Sequence, residues 1–242
     1  MAIPPATNGQ PAISLAQASQ VIAAELSPDV IGIQECDFNL LRSGGSNQIA
    51  EVATHIGAEH FAFAPCIIGT PGEKWRKLNE RDSRIVTDSD QPPLEGSYGI
   101  GIVSRVPVTR WDRLDLGNSP VGMPLLVPGG EDGTGKPRFI YVRDEPRVAL
   151  AATLSNGWTI INTHLSFVPG FNLAQLKRVK KWALSIAEET GTRAIVVGDL
   201  NLPKNLPVVR SSWKSLVTQN TYPSWGAKIQ FDYILSRDLG FG

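Results

Sequence analysis

Apolar positions in this chain recur at helical spacing in three stretches and at strand spacing in most of the remainder. Leu15, Ala18, Val21, Ile22 and Leu26 share one face of a predicted helix that starts at the capping residue Ser14 and ends at Ser27-Pro28-Asp29. A second stretch runs from a cap at Ser46 through Ile49, Val52 and Ile56 to Gly57, where glycine accepts a left-handed ending. The third spans Asn172 to Thr190, with Leu173, Leu176, Val179, Ala183 and Ile186 as its buried stripe. Its Lys177, Arg178, Lys180 and Lys181 suit a solvated face better than a phosphate-binding patch. Short β-rich runs near 30–33, 60–68, 98–104, 106–115, 138–142, 147–154, 158–164, 193–198 and 228–235 read as strands.

Helices alternate with strands early, whereas the middle of the chain is mostly consecutive strands, which predicts an α+β fold of two packed sheets with helices outside. With 242 residues, 42% of them hydrophobic, one large domain with one substantial core is expected. Two segments interrupt the strands, residues 69–96 and residues 117–136. The first is longer than the roughly 15 residues usual for a passive connection and carries Lys74, Trp75, Arg76, Lys77, Arg81 and Arg84, which makes it the candidate substrate-selecting rim. The second contains Gly129-Gly130-Glu131-Asp132-Gly133-Thr134-Gly135-Lys136. Its glycine spacing does not fit a phosphate loop and Pro137 follows the lysine, so a flexible turn is expected.

Charge narrows the function classes. Lys+Arg and Asp+Glu each number 23, so the formal net charge is zero, which weighs mildly against nonspecific nucleic-acid binding through phosphate neutralisation. The two cysteines, Cys36 and Cys66, fit a reduced pair rather than a disulfide scaffold. No segment approaches the roughly 18 apolar residues of a membrane span and the start carries no basic-then-apolar leader, so the cytoplasm is the expected compartment.

Four apolar runs end in, or contain, residues that chemistry can use. Val30-Ile31-Gly32-Ile33-Gln34-Glu35 delivers an acid, and Thr159-Ile160-Ile161-Asn162-Thr163-His164 delivers an imidazole. Val196-Val197-Gly198-Asp199-Leu200-Asn201 delivers a carboxylate and an amide two positions apart, and Ile229-Gln230-Phe231-Asp232-Tyr233-Ile234-Leu235 buries an acid within an apolar run. Alternate residues of an extended chain project to one side, so Asp199 and Asn201 can meet one substrate. The same Gly-Asp-Leu-Asn also suits a turn in which the side chains bond their own backbone. Serine-hydrolase chemistry has no G-x-S-x-G to support it, and the few His and Cys residues are not spaced as zinc ligands.

Taken in chain order, Gln34-Glu35, Asn162-Thr163-His164-Leu165, Gly198-Asp199-Leu200-Asn201 and Phe231-Asp232-Tyr233-Ile234-Leu235 resemble the motifs of the endonuclease/exonuclease/phosphatase superfamily. Tyr98-Gly99-Ile100-Gly101-Ile102-Val103-Ser104-Arg105 and Arg147-Val148-Ala149 resemble two further strands of those proteins. The resemblance implies a four-layer α/β/β/α sandwich of two packed mixed sheets with outer helices. It also implies a single domain over 1–242 without the family's first, Asn-ending strand and last, Ser-Asp-His-bearing strand, because the histidines are His55, His60 and His164 alone.

The chemistry implied by the resemblance is phosphoester hydrolysis assisted by Mg²⁺ or Mn²⁺, with a phosphoester substrate, possibly a nucleic acid, as partner. Such a reaction needs a cation for the nonbridging oxygens, a base for water and donors for the developing charge. By resemblance Glu35 holds the metal and Asp199 orients or deprotonates water. Asn201 donates to the phosphate, His164 holds or protonates it, and Asp232 orients a site histidine. Without a terminal histidine the polypeptide is expected to turn over weakly, or to be a noncatalytic phosphate-binding relative.

Overall fold

The computed structural model describes residues 14–88, 95–129, 135–223 and 226–239. In chain order the elements are α1 (Leu15–Glu25), β1 (Val30–Phe38), α2 (Gln48–Ile56), β2 (His60–Gly69), β3 (Trp75–Arg76), β4 (Val86–Thr87), β5 (Ser97–Ser104), β6 (Val108–Gly117), β7 (Met123–Gly129), β8 (Gly135–Val142), β9 (Arg147–Leu154), β10 (Trp158–His164), α3 (Phe171–Thr190), β11 (Arg193–Asp199), β12 (Lys214–Ser215) and β13 (Asp232–Ser236). One sheet runs β1-β5-β2-β3, with β4 also on β2, and the other runs β12-β13-β11-β10-β9-β6. Every pair in the first is antiparallel, so only the second sheet is mixed, through the parallel pair β10 and β11. A parallel pair needs a long crossover, and α3 supplies it.

Alternation along each strand assigns the layers. Ala62, Ala64, Ile100 and Ile102 of the first sheet face Leu150, Ala152 and Ile160 of the second, forming the core between sheets. The opposite faces hold Ile33, Phe38, Phe63 and Val103 against Ile49, Val52 and Ile56 of α2. On the far side Ala149, Ala151, Ile161 and Val196 pack against Leu176, Val179, Ala183 and Ile186 of α3. The result is the α/β/β/α sandwich. Each fully buried Leu or Ile contributes about 1.5–3 kcal/mol of transfer free energy. Gly101 lets α2 approach, since a Cβ there would lie 2.4 Å from Ile49 Cδ1.

Ser14 caps α1 as expected: its Oγ accepts from Gln17 N at 3.2 Å and Gln17 Oε1 accepts from Ser14 N at 2.9 Å. The cap of α2 is Asn47 rather than Ser46, because the Asn47 carboxamide oxygen accepts from both Ile49 N and Ala50 N. On α3, Leu173 is 44% exposed. Asn172 and Gln175 take buried positions instead, since Asn172 donates to Asn201 O and Gln175 bonds Ser166 N and Gly117 O.

Other expectations shift as well. Residues 117–136 carry all of β7 and the start of β8, a hairpin forming its own two-stranded sheet. The expected flexible turn falls at 130–134, outside the described residues. In the described part of the 69–96 segment, β3 and β4 pair back onto β2. The last strand begins only at Asp232. Both cysteines are free and buried, and burial pushes each thiol up to about 12, so they stay protonated and inert. Among the described residues no helix is long and apolar enough to cross a membrane.

Candidate active site

The carboxyl ends of β10 and β11 lie side by side, which is where open sheets with parallel strands place ligands. Register puts His164 directly beside Asp199, with His164 Nε2 3.7 Å from Asp199 Oδ2. On the other flank β13 sets Asp232 opposite Asp199. Gly198 is required by this pairing: its φ is +131° and a Cβ would lie 1.9 Å from Thr163 O. Beyond the strand the chain turns through Asn201 at φ 48°, and Asn201 N donates to Asp199 Oδ1 at 2.8 Å. The bond to the chain's own backbone foreseen for Gly-Asp-Leu-Asn therefore coexists with the site. Asn201 Nδ2 donates to Leu165 O at 2.9 Å, which fixes the amide and commits one of its two protons.

Glu35 arrives from the other sheet. A register shift between Ile33 and Cys36 makes a bulge in β1, and Glu35 within it takes φ 57°. Bulges re-aim a side chain, here at a local conformational cost on the order of 1–2 kcal/mol. The bulge is tied to β10 by Asn162, which is fully buried. Its Nδ2 donates to Ile33 O at 2.9 Å and Gly101 O at 2.8 Å, and its Oδ1 accepts from Gln34 Nε2 at 2.6 Å.

These elements enclose a cleft of about 620 Å³ lined by Glu35, His164, Asp199 and Asn201 together with Tyr98, Glu145 and Arg147. Four of the five residues expected at the site thus converge. Asp232 does not line the cleft and lies behind it, across the ladder from Asp199. Of the 69–96 segment, Pro71 and Gly72 reach the rim. Its cations do not: Arg76 is held by Asp82 at 2.6 Å and Glu95 at 2.7 Å.

The electrostatics are dominated by acids. Burial, then the nearby Asp232, pushes the Asp199 carboxyl up to about 7, with Glu35 adding to the rise and the Asn201 N–H and Arg147 opposing it. Burial also raises Glu145, with Arg147 opposing. Burial, reinforced by Arg147, holds His164 well below the ordinary imidazole value, so it is neutral at pH 7. Arg147 is buried, 3.4 Å from Glu145 and 3.5 Å from Asp144, and its Nε has no hydrogen-bond partner among the described residues. A buried donor left without a partner costs stability, and the charge of this one stands beside the acids of the cleft.

Arg147 and Asn162 were visible in the sequence only as members of strand motifs. The signal for Arg147 is the polar run Asp144-Glu145-Pro146 ahead of a strand buried throughout. Asn162 gives no sequence signal, since its partners come from the other sheet. The oxygen-rich, thiol-free donor set suits a hard cation such as Mg²⁺. Among the described residues, no three His, Cys, Asp or Glu side chains stand close enough to cage an ion by themselves.

Residues 7–242 match the sequence model of the Endonuclease/Exonuclease/phosphatase family. Among solved structures, an endonuclease/exonuclease/phosphatase family protein from Bacteroides thetaiotaomicron aligns with TM-score 0.54 at 12% identity, over 91% of this chain and 71% of that one. The human Nocturnin catalytic domain, solved with a bound sulfate, aligns with TM-score 0.53 at 15% identity, over 93% and 75%. The mannosyl-6-phosphatase Bt3783 of Bacteroides thetaiotaomicron aligns with TM-score 0.51 at 13% identity, over 93% and 78%. At these identities the likeness is one of fold. No curated protein matches the sequence.

Proposed function

The chain belongs to the endonuclease/exonuclease/phosphatase family, and from that premise we propose that it hydrolyses a phosphodiester or phosphomonoester in this cleft with Mg²⁺ or Mn²⁺. The reading rests above all on the juxtaposition of Asp199, a carboxyl lifted to about 7, with neutral His164 and the bulge-borne Glu35 around one cavity. A general base works best with a pKa near the operating pH, and burial puts Asp199 there.

Each residue then has a definite task. Glu35, aided by a second acid, is the oxygen ligand for the cation, which when bound supplies positive charge to the nonbridging oxygens of the ester. Asp199 accepts the proton of the attacking water. Neutral His164 donates its single N–H to the phosphate, and the remaining amide proton of Asn201 supports it. Arg147, which lines the cleft, adds a buried and permanently positive charge beside the phosphate. Asp232 keeps the Asp199 carboxyl high.

A second reading is a phosphate-binding protein without turnover, favoured by the spread of the acids beyond caging distance among the described residues. Hydrolysis of bis(p-nitrophenyl) phosphate and p-nitrophenyl phosphate with Mg²⁺, Mn²⁺ or chelator separates the two. Chelator-sensitive turnover is expected, with Asp199→Ala and His164→Ala each slower by about 10²- to 10⁴-fold. Turnover indifferent to chelator would overturn the metal role, and phosphate binding with no turnover on either ester would establish the second reading.

A further inference from the structure

The cleft is larger than a phosphate requires and its two halves differ in chemistry. A volume of about 620 Å³ falls in the range of about 300–1,000 Å³ that encloses a whole drug-sized ligand. The floor carries the acids, His164, Asn201 and Arg147, whereas Met123, Leu125, Val142, Phe167, Tyr222 and Phe231 make up most of the rest, beside Tyr98 and the rim residues Pro71 and Gly72.

The apolar side is built from two independent elements. In the β7–β8 hairpin Met123 pairs with Val142 and Leu125 with Ile140, so these side chains share one face, and Met123, Leu125 and Val142 turn it to the cleft. Among the described residues the hairpin pairs with no other strand, and its base is fixed by Asp144, whose Oδ2 accepts from Ser119 N at 2.7 Å and from Ser166 Oγ at 2.8 Å. The opposing wall is the tilted pair Tyr222 and Phe231, with ring centroids 5.4 Å apart. Phe231 is seated by its backbone, its carbonyl accepting from Leu200 N just after Asp199. Both walls meet the acidic floor within one continuous cavity.

We propose that this half of the cleft is a subsite for an apolar organic group esterified to the phosphate, and that it selects such esters over those of polyhydroxylated groups. This rests on the phosphoester reading of the floor. Polar leaving groups would lose water to walls on which the Tyr222 hydroxyl is the one strong hydrogen-bonding side-chain group, whereas a ring or chain gains by burial. Aromatic and aliphatic groups share this chemistry.

Calorimetry with hydrolysis-resistant phosphonates in Mg²⁺ buffer tests the subsite directly. Methylphosphonate probes the floor alone, benzylphosphonate and hexylphosphonate add a ring or a chain, and 2,3-dihydroxypropylphosphonate adds a polar group. The apolar probes are expected to bind about tenfold tighter than methylphosphonate or better. Phe231→Ser and, independently, Leu125→Ser should shrink that ratio to within about twofold. A larger gain for benzylphosphonate would mark an aromatic substrate group, and a larger gain for hexylphosphonate an aliphatic one. If the dihydroxypropyl probe matches the apolar ones, or if both variants keep the full ratio, the subsite is refuted while the phosphoester reading stands. If no phosphonate binds, both fall.

Discussion

Asp199 is the residue whose chemistry and stability pull in opposite directions. Its folded-state carboxyl sits at about 7, above the ordinary value of about 3.9, so the folded protein binds that proton more tightly than the unfolded chain. The sign follows: its contribution to stability is complete below about pH 4 and is lost as pH rises through about 7. A shift of about three pH units corresponds to at most about 4 kcal/mol, and with 28% of the side chain exposed roughly 1–2 kcal/mol is expected after solvent screening. Asp199→Asn retains the acceptor for Asn201 N and removes the charge. The variant should melt several degrees higher than wild type at about pH 8, by less at about pH 5, and be inactive. Thermal melts at the two pH values decide it, and an equal shift at both would mean that the carboxyl is not strained. At this scale the sequence was informative where a side chain ends a strand, as with His164 and Asp199, whereas Glu35, read as ending a strand at 30–33, lies in a bulge inside β1. Arg147 was harder to see because its role comes from burial beside Asp144 and Glu145, which composition does not display.

At the scale of elements, the two sheets are joined by polar contacts as well as by apolar packing, and Asn162 is the principal joint. Its side chain donates to one carbonyl on each of β1 and β5 and accepts from Gln34, so it pins the bulge that carries Glu35. Asn162→Ala removes three hydrogen bonds between the sheets, two of them to buried residues, and about 2–4 kcal/mol of destabilisation is expected. Urea unfolding should show a lower midpoint at unchanged slope, and turnover should become dependent on higher Mg²⁺ as Glu35 loses its position. Full stability in that variant would show that packing alone sets the sheet spacing. Hydrophobic periodicity predicted all three helices and the long strands, because each buries one face against a neighbour. It found β8 through the run at 138–142 but missed β7 and the pairing of the two, where Pro124, Pro128 and the glycines break the pattern and the apolar face looks into a cleft rather than a core. It also missed β3 and β4, which are only two residues each and owe their form to β2.

For the molecule as a whole, the charge balance bears on the size of substrate expected for the proposed activity. Lys+Arg and Asp+Glu balance at 23 each, and many described cations are already engaged. Arg76 pairs with Asp82 and Glu95, Arg110 with Asp112 and Glu189, and Arg113 with Asp115. Two of the helix cations once weighed as a phosphate patch are engaged too: Arg178 donates to Asp115 O and Leu116 O, and Lys180 to Pro207 O. A nucleic-acid track of six to ten phosphate contacts would cost about 10³- to 10⁵-fold in affinity between 50 and 200 mM salt, through loss of counterion release. A small ester held by the buried floor should feel little of this, because short-range contacts in a protected cleft are screened far less than exposed ones. The Michaelis constant for a small phosphoester is therefore expected to change by less than about threefold across that salt range. Duplex DNA should bind no tighter than about 10⁻⁴–10⁻⁶ M, the range of nonspecific association. A steep salt slope with tight duplex binding would mean that phosphate contacts outside the cleft recruit the substrate, and would move this protein from small-ester chemistry to nuclease chemistry.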